Sequence, residues 1–241
     1  VILLNKPKYV MGSVYLIPVI LGGNDFLKVI PEKVLTLTRS LRFFIVEDIR
    51  SARRYLRLID KAFPIDECEF FELNEQTAGA DLGHYLDPVL VGSDIGIMSE
   101  AGLPGIADPG GRIVALAHQK NIKVIPLSGP SSIILALISS GLNGQNFTFN
   151  GYLPIKSRER SARLRELEMN SWKGYAQIFM ETPYRNQQML EAILATCRPD
   201  TNLCIAADIT LPAESIRTMK ISEWKKRIPV LKGRLVIFIL Q

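Results

Sequence analysis

Ser99-Glu100-Ala101-Gly102-Leu103-Pro104-Gly105-Ile106-Ala107-Asp108-Pro109-Gly110 follows directly on the apolar run Ile95-Gly96-Ile97-Met98. These twelve residues hold three Gly, two Pro and two carboxylates. Glycine lets backbone approach a ligand closely, and proline fixes a turn in advance. Val114-Ala115-Leu116-Ala117, just beyond, belongs to a helix. A strand that ends in such a loop and runs on into a helix is where α/β proteins hold small molecules. Pro126-Leu127-Ser128-Gly129-Pro130-Ser131-Ser132 repeats the pattern after Ile122-Lys123-Val124-Ile125. Two such loops predict one site between neighbouring strands.

Working outward, residues 13–20 (SVYLIPVI) form a β-rich run ending in the turn Leu21-Gly22-Gly23-Asn24-Asp25. Phe43-Phe44-Ile45-Val46 reads as a buried strand ending in Glu47-Asp48. The period then changes: Ile49, Ala52, Leu56 and Ile59 share one helical face, with Arg50, Arg53, Arg54 and Arg57 roughly opposite. Asp48 suits the N-cap of that helix. A further helix through residues 133–138 stops near Gly141, and Asn143-Gly144 forms a turn. Alternating strand and helix implies a largely parallel sheet covered on both faces.

The second half differs. Phe147-Thr148-Phe149 leads into Gly151-Tyr152-Leu153-Pro154 and a basic helical stretch over 156–166. β-rich runs follow at 175–180, 203–207 and 235–240, with a helix between the first two and Lys232-Gly233-Arg234 as a turn or strand entry. More strand and fewer crossovers predict a mixed sheet. The fold class is therefore α/β in two domains, 1–125 and 126–241, with the boundary near 121–130.

With 241 residues, 47% hydrophobic and 22% charged, the chain suits an ordinary globular enzyme. No window approaches the roughly 20 apolar residues of a membrane span. The short apolar start at residues 1–4, followed by Asn5-Lys6-Pro7-Lys8, lacks the pattern of a secretory signal. Cys68, Cys197 and Cys204, with only His84 and His118 beside them, give no metal-ligand spacing. A reduced, cytoplasmic protein without a metal is expected. The net charge of +5 is compatible with an anionic partner without demanding one.

Several motifs occur in order: Glu47-Asp48-Ile49-Arg50, SEAGLPGIADPG, PLSGPSS, Ser140-Gly141-Leu142, Phe149-Asn150-Gly151-Tyr152-Leu153-Pro154, Glu181-Thr182-Pro183-Tyr184-Arg185 and Ala207-Asp208-Ile209-Thr210. From about Ser13 to the C-terminus the chain resembles the tetrapyrrole methylase superfamily, in its branch similar to ribosomal RNA small subunit methyltransferases. The resemblance implies an S-adenosylmethionine-dependent methyltransferase, usually homodimeric, with two α/β domains and the cofactor in the cleft between them. It implies cofactor contacts from Pro18, Ser99, Glu100, Gly102, Pro104, Ile106, Ser131, Ser132, Met180, Ala207 and Gly233.

Departures from the branch concern mainly the acceptor. Its Thr-Pro-Ile-Gly-Asn is here Ile17-Pro18-Val19-Ile20-Leu21-Gly22-Gly23-Asn24, and its Ser-Asp-Ala-Gly is Ser99-Glu100-Ala101-Gly102. A Lys and a His of the branch are replaced by Leu211 and Ala213. The acceptor is accordingly RNA, at a ribose hydroxyl of small-subunit ribosomal RNA, or a small molecule such as a tetrapyrrole. Binding of the cofactor without transfer is a third reading.

Each residue type has a plainer role beside the functional one. No Gly-Lys-Ser/Thr accompanies the glycine-rich loop, so it is not a phosphate-binding P-loop. Ser131 and Ser132 at a helix start suit capping as well as cofactor contact, and Met180, Ala207 and Gly233 suit a core or a turn. The arginines 50, 53, 54 and 57 form either a solvated helix face or, with Arg158 and its basic neighbours and with Arg185, a track for RNA phosphates. Glu47, Asp48, Glu181 and Asp208 are candidate proton acceptors for a hydroxyl. Pairing with Arg50 or Arg185 is the structural alternative for Asp48 and Glu181.

Overall fold

The computed structural model describes residues 11–74, 76–77 and 82–241. The apolar start and the Asn5-Lys6-Pro7-Lys8 segment lie outside the described residues. The chain divides into two compact units between Pro130 and Ser131.

The first unit holds strands β1 (Ser13–Ile17), β2 (Phe43–Val46), β3 (Glu69–Glu72), β4 (Ile95–Met98) and β5 (Lys123–Pro126). They form a sheet in the order β3-β2-β4-β1-β5, parallel at every pairing. Helices α1 (Glu32–Ser40), α2 (Ile49–Ile59), α3 (Asp87–Leu90) and α4 (Gly111–Gln119) accompany it. Strand alternation sorts the core into two layers. Ile17, Phe44 and Val46 pack with Leu35 of α1 and Leu56 of α2. Val14, Ile45, Ile95 and Ile97 pack with Val89 of α3 and Ile113 of α4. Helices thus cover both faces, as a parallel sheet requires.

The sequence reading of β1 as far as residue 20 is too long. Pro18 has no N–H to donate inside a sheet, so the ladder stops there. Val19 instead exchanges two hydrogen bonds with Gly102, Val19 N to Gly102 O at 2.8 Å and Gly102 N to Val19 O at 3.0 Å. At Gly96 an added Cβ would stand 2.3 Å from Ile17 Cδ1, so a glycine lets β4 and β1 pack.

The second unit holds α5 (Ser132–Ser140), β6 (Phe147–Tyr152), α6 (Ser157–Ser171), β7 (Ala176–Met180), α7 (Asn186–Thr196), β8 (Asn202–Ala207), β9 (Ser215–Lys220), α8 (Ile221–Trp224) and β10 (Val236–Leu240). Its sheet runs β6-β7-β10-β8-β9. It is mixed, with β6 parallel to β7 and the other pairs antiparallel. Leu164, Leu167, Met189 and Ile193 from the helices pack on Phe179, Ile205 and Phe238 of the strands. α5 lies along β8, β9 and β10 and ends at Gly141, whose φ of +71° is the left-handed C-terminal stop that glycine adopts without strain. Both sheet types agree with the sequence reading.

Candidate functional site

In the first unit every strand is parallel, so all five carboxyl ends lie on one edge. The connections leaving β2 and β4 run to opposite sides, β2 to the edge strand β3 and β4 across β1 to β5. Such a reversal opens a crevice at the strand ends. A small crevice of about 10 Å³, room for about one water, lies there, lined by residues that include Val46, Glu47, Met98, Ser99 and Asp108.

Residues 99–110 build one wall. Gly102 and Gly105 have φ of +76° and +88°, and Ala107 is left-handed as well at +61°. Asp108 fixes this shape: it accepts from Gly105 N at 3.0 and 2.9 Å and from Gly110 N at 2.7 Å. A Cβ at Gly110 would come within 2.8 Å of Asp108 Oδ1. Burial raises the Asp108 pKa, while hydrogen bonds from Gly110, Gly105 and Ile106 partly oppose the shift. Ser99 Oγ donates to Ala101 O at 3.1 Å. Pro104 is buried, whereas Glu100 and Ile106 are exposed.

Neighbouring loops are tied into the same edge. A Cβ at Gly129 would stand 2.1 Å from Pro18 Cβ, so the loops after β1 and β5 touch. Buried Tyr55 of α2 donates its hydroxyl to Pro18 O at 3.2 Å. Glu100 N donates to Glu47 Oε2 at 3.4 Å, which brings two carboxylate residues together.

The four candidate proton acceptors occupy different settings. Asp48 is the N-cap of α2 and accepts from Ser51 N at 2.7 Å. Hydrogen bonding to Ser51 lowers its pKa, helped by the charges of Arg50 and Arg54. Glu181 has a fully buried side chain and binds Arg185 at 2.7 Å and Thr182 N at 2.7 Å. Asp208 accepts from Arg234 Nε at 2.7 Å and Leu235 N at 3.0 Å. Glu47 alone of the four lines the pocket between β2 and β4.

The arginines of α2 are exposed, above a buried row of Ala52, Tyr55, Leu56 and Ile59. Arg53 reaches Asp66 at 3.4 Å, and Arg57 donates to Lys61 O at 2.8 Å. On α6 several charges are matched locally: Lys156 with Glu159 at 3.3 Å, and Arg163 with Glu166 at 2.6 Å. Arg158 and Arg165 are exposed.

In the second unit Ser131 caps α5, its Oγ accepting from Ile134 N at 3.4 Å, and Ser132 begins that helix. Met180 and Ala207 end β7 and β8. Gly233, with φ of +81°, precedes β10 and donates to Pro183 O at 2.9 Å. Asp208 and Thr210 are left-handed at +52° and +72°. That strain persists because Arg234 spans the loop, bonding Asp208 and the Ala213 carbonyl, the latter at 2.6 Å. Thr210 N meets Glu214 Oε2 at 2.7 Å. Sequence reasoning missed a second pocket, of about 210 Å³, against β8 and β9 with Arg217, Arg227 and Arg234 at its border. The signal was the period-2 alternation of Ser215, Arg217 and Met219.

The chain matches the family model of Tetrapyrrole (Corrin/Porphyrin) Methylases over residues 45–225. It is 32% identical over 212 residues to the ribosomal RNA small subunit methyltransferase I of Vibrio cholerae, spanning 87% of this chain and 69% of that protein. The protein of the same name from Streptococcus pyogenes serotype M1 is 31% identical over 218 residues, 90% of this chain and 72% of its own length. That from Pseudomonas aeruginosa is 27% identical over 212 residues, with coverages of 88% and 71%. Among solved structures the methyltransferase CobJ shares the fold, with a TM-score of 0.61, 15% identity and coverage of 95% and 93% of the two chains.

Proposed function

We propose that this chain, which belongs to the tetrapyrrole (corrin/porphyrin) methylases and is a methyltransferase, methylates small-subunit ribosomal RNA at a ribose 2′-hydroxyl. S-adenosylmethionine is the cofactor in this reading. The observation that carries it is the acidic, glycine-lined strand edge of the first unit, in a chain whose relatives of 27–32% identity are named for ribosomal RNA methylation.

The residues fit that cofactor. S-adenosylmethionine combines an ammonium and a sulfonium with one carboxylate, so it suits an edge that offers Glu100 beside Glu47. No heavy atom lies within 4 Å of a Cβ built at Gly105, which leaves that side of the loop open to a ligand while Asp108 holds the Gly105 N–H. Pro18, Ser99, Glu100, Gly102, Pro104 and Ile106 would hold the cofactor from the first unit. By the family resemblance, Ser131, Ser132, Met180, Ala207 and Gly233 would be further contacts of the cofactor. When bound, S-adenosylmethionine supplies an electrophilic methyl group on a positively charged sulfur.

The protein's own work is then alignment, charge and one proton. Fixed positioning supplies much of the acceleration of an in-line displacement, and Asp108 with the Val19–Gly102 pair keeps the loop rigid for it. Glu100 attracts the cation. Glu47 is placed to take the hydroxyl proton of the acceptor, because of the four candidate carboxylates it alone lines the crevice at the strand ends. Arg50, Arg53, Arg54 and Arg57, with Arg158, hold RNA phosphates; Arg185 is held by Glu181. The reading further includes a homodimer in the cytoplasm, which rests on the resemblance alone.

Incubation with methyl-labelled S-adenosylmethionine and small ribosomal subunits tests this directly. Label in the RNA, lost on alkaline-resistant mapping of the 2′-O-methyl position in Glu47→Gln, is the expected result. Glu47→Gln should lower kcat by about 100-fold, the lower end for a lost general base. Label in a tetrapyrrole and none in RNA would overturn the RNA acceptor.

A further inference from the structure

The second pocket lies wholly within the second unit. Its floor is apolar, formed by Met219 of β9, Trp224 of α8 and Leu231. Trp224 is 5% exposed and donates Nε1 to Leu203 O at 2.9 Å, so this wall is rigid. Strand alternation aims Ser215, Arg217 and Met219 to the same side as Ile205 and Ala207, their partners across the β8–β9 ladder being on that face. Its cavity volume is about 210 Å³, below the usual small-molecule range and in keeping with a site that takes only part of a ligand.

Charge at the border is one-sided. Arg234 is fixed by Asp208 and the Ala213 carbonyl. Arg217 and Arg227 are exposed and have no carboxylate within ion-pair distance among the described residues. Over residues 217–234 the chain carries Arg217, Lys220, Lys225, Lys226, Arg227, Lys232 and Arg234 against Glu223 alone. Two unspent guanidiniums at the mouth of an apolar pocket match a ligand with a flat apolar ring and a phosphate, since guanidinium donors engage phosphate oxygens in pairs.

We propose that this pocket seats a phosphorylated nucleoside, its base on the Met219–Trp224–Leu231 floor and its phosphate between Arg217 and Arg227. The source we assign is one nucleotide of the RNA acceptor, held outside the cofactor bed; this assignment rests on the RNA reading, whereas the pocket's chemistry does not. Ala207, which lines this pocket, is also a proposed cofactor contact, so oligoribonucleotide and cofactor binding are measured separately.

The test uses the whole protein and the double variant Arg217→Glu/Arg227→Glu. Both side chains are exposed, and an unchanged melting temperature and cofactor affinity would show that the fold is kept. Binding is read with a fluorescent single-stranded oligoribonucleotide and, separately, by calorimetry with free nucleoside monophosphates. The expected result is at least tenfold weaker oligoribonucleotide binding in the double variant. Its log K against log salt slope should be shallower by about 0.7, the value for one single-strand phosphate. Arg217→Lys/Arg227→Lys should recover only part of the loss. If monophosphates bind wild type but not the variant while RNA is not bound at all, the pocket stands, its source is a free nucleotide, and the RNA reading fails. Wild-type RNA affinity retained in the double variant, or no binding of either probe by wild type, would overturn the proposal.

Discussion

Asp108 and Asp48 are both loop carboxylates that accept backbone N–H donors, yet burial sets them apart. At Asp48 the Ser51 hydrogen bond and nearby arginines lower the pKa. A depressed carboxylate stabilises the fold above its ordinary range, and this contribution disappears as pH falls through the lowered value. Asp48→Ala should cost about 1 kcal/mol in urea denaturation at neutral pH, a typical N-cap loss. The gap to wild type should close once Asp48 is protonated. At Asp108 burial outweighs the hydrogen bonds and the pKa rises. Ionisation there is a cost in the folded state that is relieved as pH falls below the raised value. Protonation also takes an acceptor from Gly105 N or Gly110 N, so cofactor affinity should fall as pH is lowered through that point. Titration calorimetry across the acid range checks this; Asp108→Asn should bind more weakly at neutral pH with a flatter profile.

α2 carries one apolar and one basic face on eleven residues, and this element was legible in full because its 3.6-residue period, cap and length agree. β2, β4 and, from Leu203, β8 were legible as unbroken apolar runs, the mark of strands buried on both faces, and β7 as a run broken only by Gln177. β3 (Glu-Phe-Phe-Glu), α1 and β9 went unread. β3 is an edge strand with a glutamate at each end, and α1 is short and polar except for Val34, Leu35 and Leu37. β9 alternates too weakly to stand out before its pairing with β8 is known. Gly96 of β4 shows what tertiary contact adds to such readings. Gly96→Ala should destabilise the protein by about 1–3 kcal/mol, as overpacking does, because Ile17 and then Leu41 and Phe44 crowd the added methyl. Chemical denaturation with an unchanged m-value would bear this out. On α2, Arg50→Ala/Arg54→Ala should weaken RNA binding and leave the melting temperature within a degree or two, since both side chains are exposed.

Each unit has its own core, and the sequence read the two sheet types correctly because strand–helix alternation and strand-rich runs segregate along the chain. Family membership was legible for a related reason: its motifs sit at strand ends, in order, across most of the chain. The second pocket was not, because residues 205–234 meet there only through antiparallel pairing and the return of the segment after α8. With a net charge of +5, RNA affinity should fall steeply with added salt, and each arginine reversed on α2 or at the second pocket should make the dependence shallower. Filter binding at several salt concentrations would measure it. Among the described residues no helix is long and apolar enough to cross a membrane.

The reciprocal pair between Val19 and Gly102 has a spectroscopic consequence. Both amide hydrogens belong to loops, where exchange with deuterium is ordinarily fast, yet each is locked to a carbonyl at 2.8 and 3.0 Å. Their exchange rates therefore report the opening of this strand-end edge, where we place the cofactor, separately from global unfolding. Two slowly exchanging protons on loop residues, slower still with ligand added, would turn this edge into its own gauge of occupancy.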